Sequence, residues 1–148
     1  MKKLLSSLAT LALAGLAVAS VQADEKEHEG HTGHMLAGYL AVADALYKDD
    51  LDAAQKAAVS INAHDADSTF ADPAKEIIEA KDITGAREAF KTLSSKAIEM
   101  ANHHEGEKYT VMNCPMVKGG NGDWLSADGK VNNPYFGARM PHCGGPKK

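Results

Sequence analysis

The sequence predicts an all-α protein: an up-down four-helix bundle with a C-terminal Gly/Pro-rich loop or small hairpin docked at one end. Three observations predict it. Between about Met35 and His104, apolar residues recur at steps of three and four. Aromatic residues make up only 5% of the chain while alanine is abundant, which suits packed helices better than a β-sandwich. From Glu105 onward Gly, Pro and Asn accumulate and the helical rhythm stops.

The chain opens with Lys2 and Lys3, an Ala/Leu-rich run to Ala19, and the small residues of "VQAD" at Val21 to Asp24. This is the plan of a signal sequence, with cleavage after Ala23 and export to a bacterial periplasm. The apolar run is short and interrupted by Ser6, Ser7 and Thr10, so no membrane insertion is expected once it is removed. Residues 24–34, "DEKEHEGHTGH", lack apolar periodicity and predict a flexible tail. Within it His28, His31 and His34 stand three apart, a tract that either recruits Cu²⁺ or Zn²⁺ weakly or is simply solvated.

Residues 35–148 form the predicted single domain. Met35, Leu36, Tyr39, Leu40, Ala43 and Leu46 share one face of a first helix. "KDD" ends it, and Asp49 or Asp50 caps a second helix with Leu51, Ala54, Ala58 and Ile61 as its stripe. "ADP" at Ala71 to Pro73 starts a short third helix, with Asp72 as cap, Pro73 in the first turn, and Ile77 and Ile78 as anchors. The fourth carries the clearest stripe: Ala86, Phe90, Leu93, Ala97, Met100 and His104. Short connections make neighbouring helices antiparallel.

Charge narrows the partners. The net charge of −4 becomes −6 once Met1 to Ala23, with its two lysines, is gone. A mildly acidic domain without a basic patch has no electrostatic footprint for nucleic acid. About 125 residues remain, enough for one modest core.

An up-down bundle places the C-terminal ends of helices two and four, and the start of helix one, at the same pole. His64, His103, His104, His34 and Met35 fall there, and Cys114 with Met116 follows helix four. The same topology allows plainer roles. His64 suits a helix C-terminus through the dipole alone, His104 continues an apolar stripe, and Met35 and Met100 read as core.

The only two cysteines lie in "NCPM" and "RMPHC". Cys114 and Met116 flank Pro115; Met140 and Cys143 flank Pro141 and His142. Proline stiffens each pair. Thiolate and thioether are soft donors that select Cu(I), with Ag(I) similar, whereas zinc would prefer more cysteine or histidine. A disulfide is the competing use. Joining Cys114 to Cys143 closes a loop worth roughly 3–4 kcal/mol in chain entropy, and an exported domain with two cysteines commonly pairs them. Residue spacing leaves both open. Between the two halves, Asp128-Gly129 is a hairpin signal flanked by Trp124, Leu125 and Val131. Trp124, Tyr135 and Phe136 supply apolar bulk for a segment that lies on the bundle end and returns Met140 and Cys143 towards Cys114. Packing is the expected role of all three rings, with Trp124 also placed to shield a metal from water.

"YTVMNCPM", "DWLS", "NNPYFGARMPHCG" and the upstream "REAFKTLSSKAI" together resemble the exported family called domain of unknown function 3347. The resemblance covers nearly all of the mature chain. It implies a helical domain with a Cys-Pro-Met … Met-x-x-Cys-Gly segment, found alone or fused to periplasmic adaptors of copper/silver efflux pumps. It carries over Cys114, Met116, Met140 and Cys143 as metal donors, with Trp124, Asn133, Pro134, Tyr135, Phe136 and Gly137 in support. Many members have His where this chain has Asn113, so a fifth donor would come from His104 or His142.

No GxSxG, HExxH or CxxC appears, so the expected class is a binding protein and not an enzyme. Three readings follow: a periplasmic copper-binding carrier, sink or efflux accessory; a disulfide-clasped helical interaction module without metal; and a thiol-redox enzyme built on Cys114.

Overall fold

The computed structural model describes residues 17–103, 108–120 and 122–148. Four helices come first: α1 (Ala17–Tyr47), α2 (Leu51–His64), α3 (Ala71–Ile78) and α4 (Ile83–Asn102). A small antiparallel sheet follows, of β1 (Thr110–Asn113), β2 (Asp123–Ser126) and β3 (Gly145–Pro146), with a 3-10 turn at Gly137–Arg139 before β3. Each helix packs on the next, and α1 also packs on α4. The predicted class therefore holds: mostly helical, four helices, and a C-terminal hairpin.

The predicted stripes are the buried faces. Met35, Leu36, Tyr39 and Leu46 from α1 meet Ala54, Ala58 and Ile61 from α2, Ile77 from α3, and Ala86, Phe90, Leu93 and Ala97 from α4. Caps set the boundaries. Asp50 accepts from the Ala53 N–H at 2.9 Å and starts α2; Asp82 accepts from the Gly85 N–H at 2.9 Å and starts α4. Asp72 does not cap α3. Phe70 holds that position with no side-chain bond, and Asp72 lies inside the first turn, where a carboxylate still meets the positive end of the dipole.

Two expectations need correction. Residues 24–34 are not a separate tail: α1 is helical from Ala17 through the predicted cleavage point and the histidine tract. The physical reason is tertiary. Thr32 is buried and His31 and His34 lie against His64, so α2 supports backbone that propensity alone leaves weak around Gly30 and Gly33. The signal-sequence residues 1–16 lie outside the described residues. Among the described residues, no helix is long and apolar enough to cross a membrane.

The second correction concerns the hairpin. Trp124 and Leu125 do not pair across Asp128-Gly129 with Val131. Strand β2 pairs with β1, Met112 opposite Trp124 and Val111 opposite Leu125, and β3 adds to the other edge of β1. Asp128-Gly129 is only a local bend, closed by the Asp128 carboxylate accepting from the Lys130 N–H. The hairpin connection is instead the Cys-Pro-Met loop, which begins as β1 ends.

Candidate metal centre

Cys114 is the first residue after β1. Its N–H donates to the Gly122 carbonyl at 2.9 Å, and its carbonyl accepts from the Val117 N–H, so the Cys-Pro-Met loop is a tight, hydrogen-bonded turn. The side chain is buried, at 1% exposure. Cys143 arrives from the far end of the sequence, half-buried, with its sulfur 3.1 Å from that of Cys114. Both are free thiols. Their mutual hydrogen bond, helped by desolvation, pushes the Cys143 thiol above its ordinary pKa.

Asn133 positions Cys143. Fully buried, it donates from Nδ2 to the Cys143 carbonyl at 2.7 Å and accepts at Oδ1 from the Tyr135 N–H at 2.8 Å. Its own N–H reaches the Pro141 carbonyl at 2.9 Å. One amide therefore fixes both sides of the turn that carries Cys143. Gly144 follows with φ +122°, and a side chain there would run into the Asn113 carbonyl and the edge of the Trp124 ring. Trp124, 1% exposed, thus lies directly against the residue after Cys143.

The rings tie this lobe to the bundle. Tyr135 packs on Phe90 at 5.6 Å and meets Trp124 edge-on at 6.2 Å, while Phe90 stacks on Tyr39 at 5.3 Å. Hydroxyls close the seam. Tyr39 Oη bonds to Ser94 Oγ at 2.8 Å and accepts from the Leu125 N–H at 3.0 Å; Ser94 Oγ and Tyr135 Oη both donate to the Asp123 carbonyl. Burial raises the pKa of both tyrosines, so they remain neutral donors. Phe136 is half-buried, with the Arg139 guanidinium over its ring at 5.2 Å.

Arg87 is the second anchor. It donates to the carbonyls of Pro134 at 2.8 Å and Leu46 at 2.7 Å, and pairs with Asp49. Asp49, in the left-handed region at φ 59°, also accepts from the Ala138 N–H at 2.9 Å. Arg87 and then Ala138 hold the Asp49 carboxyl below its ordinary pKa.

The predicted donors divide into two groups. The structure brings Cys114 and Cys143 together. Met116 is exposed on the loop after Cys114, and Met140 is half-buried, its carbonyl accepting from the Cys143 N–H at 3.2 Å. Asn113 donates to the Asp123 carboxylate at 2.7 Å and lines an open hollow with Cys143, Pro115 and Lys147. His142 is exposed and engaged with the Val131 carbonyl at 2.8 Å. His104 lies outside the described residues.

The cysteines do not join the histidines at one pole, as the topology alone suggested. The chain turns back after α4 and β2 packs on that helix, so Met116 and Lys118 share a hollow with Arg87, Glu88 and Lys91 from its N-terminal half. The imidazoles stay at the other end, where His64 lies against His31 and His34. Desolvation, then repulsion from His34 and His31, lowers the His64 pKa. Among the described residues, no group of three or more His, Cys, Asp or Glu side chains is already arranged around a metal position.

Sequence reasoning missed Ser94 and Arg87 as polar anchors, and it read Tyr39 only as part of an apolar stripe and Asp49 only as a candidate cap. One signal was present: Ser94 lies four residues after Phe90, a hydroxyl on the apolar stripe. No protein-family model, curated protein or solved structure matches this chain.

Proposed function

We propose that this is an exported heavy-metal-binding protein that holds copper, with silver as its soft equivalent, through Cys114 and Cys143. It acts as a carrier, a sink or an accessory to an efflux system, and not by turnover of a substrate. The observation that carries the reading is the 3.1 Å approach of the only two cysteines, which come from turns 29 positions apart. Two thiolates supply charge and softness together, the combination that selects Cu(I). Met116 and Met140 belong to the same two turns and would complete the donor set as neutral thioethers. The resemblance of the Cys-Pro-Met and Met-x-x-Cys-Gly segments to the family of exported copper/silver-associated domains supports the same reading. A periplasmic efflux adaptor is the partner it suggests.

The same sulfur pair is compatible with a second reading, a disulfide-clasped interaction module. Two metal–thiolate bonds of about 2.3 Å at a tetrahedral angle keep their sulfurs about 3.8 Å apart, and a disulfide brings them to about 2.05 Å. The observed 3.1 Å lies between the two. Redox state decides: exchange with an external disulfide, which is itself reduced to two thiols, takes up the two hydrogens and closes the clasp, whereas reduced thiols are free to open around an ion.

Competition against a chromophoric Cu(I) chelator, under reductant and at fixed pH because the thiols must deprotonate, tests the proposal. Cys114→Ser or Cys143→Ser should weaken binding by more than about 100-fold, beyond the usual loss of an outer-shell partner. Met116→Leu and Met140→Leu should weaken it less, since leucine keeps the volume and removes only the thioether. If all four variants compete as the parent does, the sulfur pair is not the site. Intact mass of protein purified without reductant then reports the second reading as a two-hydrogen deficit with no metal.

A further inference from the structure

The imidazoles at the far end of α1 and α2 are the group the sulfur pair does not use. His31 and His34 lie one turn apart on α1, and His64 is the last residue of α2. The His64 ring sits 4.0 Å from that of His34 and 5.0 Å from that of His31, centroid to centroid. The next residue, Asp65, places Oδ2 3.3 Å from His31 Nε2. Backbone geometry holds that carboxylate in place: the Asp65 N–H donates to the Ile61 carbonyl at 3.1 Å, and Oδ1 accepts from the Asp67 N–H at 3.0 Å.

Packing explains this grouping poorly. His34 and His64 are exposed and His31 is half-buried, so the contact buries little apolar surface. A divalent cation would give the three rings and the carboxylate a common partner, because imidazole nitrogen and carboxylate oxygen are both lone-pair donors to such ions.

We propose that His31, His34 and His64, with the Asp65 carboxylate, form a second metal site that takes one Cu²⁺ or Zn²⁺ ion. Imidazole and carboxylate suit these borderline divalent ions, where the sulfur pair suits Cu(I). His64 now stacks on His31 and lies tilted against His34, and the nitrogens do not aim at one point. Binding therefore requires rotamer changes, and these fall on the exposed side chains of His34 and His64. The site is independent of the cysteine reading: it lies at the opposite end of α4 and shares no donor with it.

The test uses protein carrying Cys114→Ser and Cys143→Ser, titrated with Cu²⁺ and followed by electron paramagnetic resonance, with Zn²⁺ in parallel thermal melts. One equivalent of Cu²⁺ should bind with imidazole nitrogen coupling, and Zn²⁺ should raise the Tm. His64→Ala should weaken Cu²⁺ by at least about tenfold, as the loss of a direct donor exceeds that of an outer-shell partner, and should abolish the Zn²⁺ shift. His34→Ala should act in the same direction, with circular dichroism confirming that both variants remain helical. The same His64→Ala change in the cysteine-containing protein should leave Cu(I) competition unchanged. Cu²⁺ binding as tight in His64→Ala as in its parent would overturn the two-helix site and assign the ion to the α1 histidines alone. Absence of imidazole coupling in the parent would overturn it outright.

Discussion

The helical bundle and the C-terminal lobe are held together by different physics. The bundle is alanine, leucine and isoleucine on regular stripes, and non-directional burial is enough to align them. The lobe has few such residues. It is fixed by directional bonds: Asn133 to Cys143 and Tyr135, Arg87 to Pro134 and Leu46, Ser94 and Tyr135 to Asp123. The Tyr39–Phe90–Tyr135–Trp124 rings join the two. A stripe tolerates small slips, whereas a hydrogen-bonded turn does not. The cysteine pair is built on the second kind.

The sharpest way to break this comparison is at the shared rings. Trp124→Ala should cost about 3–5 kcal/mol, the usual price of deleting a buried aromatic side chain. Lobe and bundle should still unfold in one transition, read by circular dichroism and by near-ultraviolet absorption of the tyrosines. Two separated transitions would show that the lobe has a core of its own.

Asn133 tests the directional half. Asn133→Ala leaves the Cys143 carbonyl and the buried Tyr135 N–H without their partner, each costing about 1–3 kcal/mol. Asn133→Asp keeps the acceptor for Tyr135 but sets a buried carboxylate oxygen against the Cys143 carbonyl, so at neutral pH it should cost at least as much in stability. Both should weaken Cu(I) binding although neither touches a sulfur. Unchanged competition in Asn133→Ala would separate the amide from the site.

Acid should act on the lobe through Asp49. Its carboxyl is held below the ordinary value of 3.8 by Arg87 and the Ala138 N–H. Because the folded-state pKa is the lower one, the stabilisation is full at neutral pH and is lost as the pH falls below 3.8 through the lowered value. Trp124 fluorescence followed from about pH 5 to pH 2 should show this limb, and Asp49→Asn should flatten it. The smallest effect belongs to Arg139 over Phe136. Arg139→Gln should cost about 0.5–1 kcal/mol, typical of an exposed cation–π pair, in denaturant melts.

Much of the bundle was legible because helical period is a local property. Phe90, Leu93 and Ala97 point inward whatever lies opposite them, and Asp50 caps α2 by reaching its own next turn. The candidate site was legible in part. Cys114 and Cys143 stood out as the only thiols, and Asn133, Trp124 and Tyr135 as neighbours in a Gly/Pro-rich segment. Their roles were not legible, since an amide that bonds a carbonyl ten positions away leaves no periodic trace.

By itself, then, the sequence determined four helices and their buried faces, because burial and capping act over one or two turns; it marked the two cysteine segments without fixing how they meet. Tertiary structure decided the partner of β2, the packing of β2 on α4, and the separation of sulfur from imidazole. It also decided that residues 24–34 join α1, although their own composition argues for a loose tail. These outcomes depend on contacts between segments far apart in the chain, such as Tyr39 with Leu125 and His31 with Asp65, and such contacts are worth forming only when both partners are already held in place.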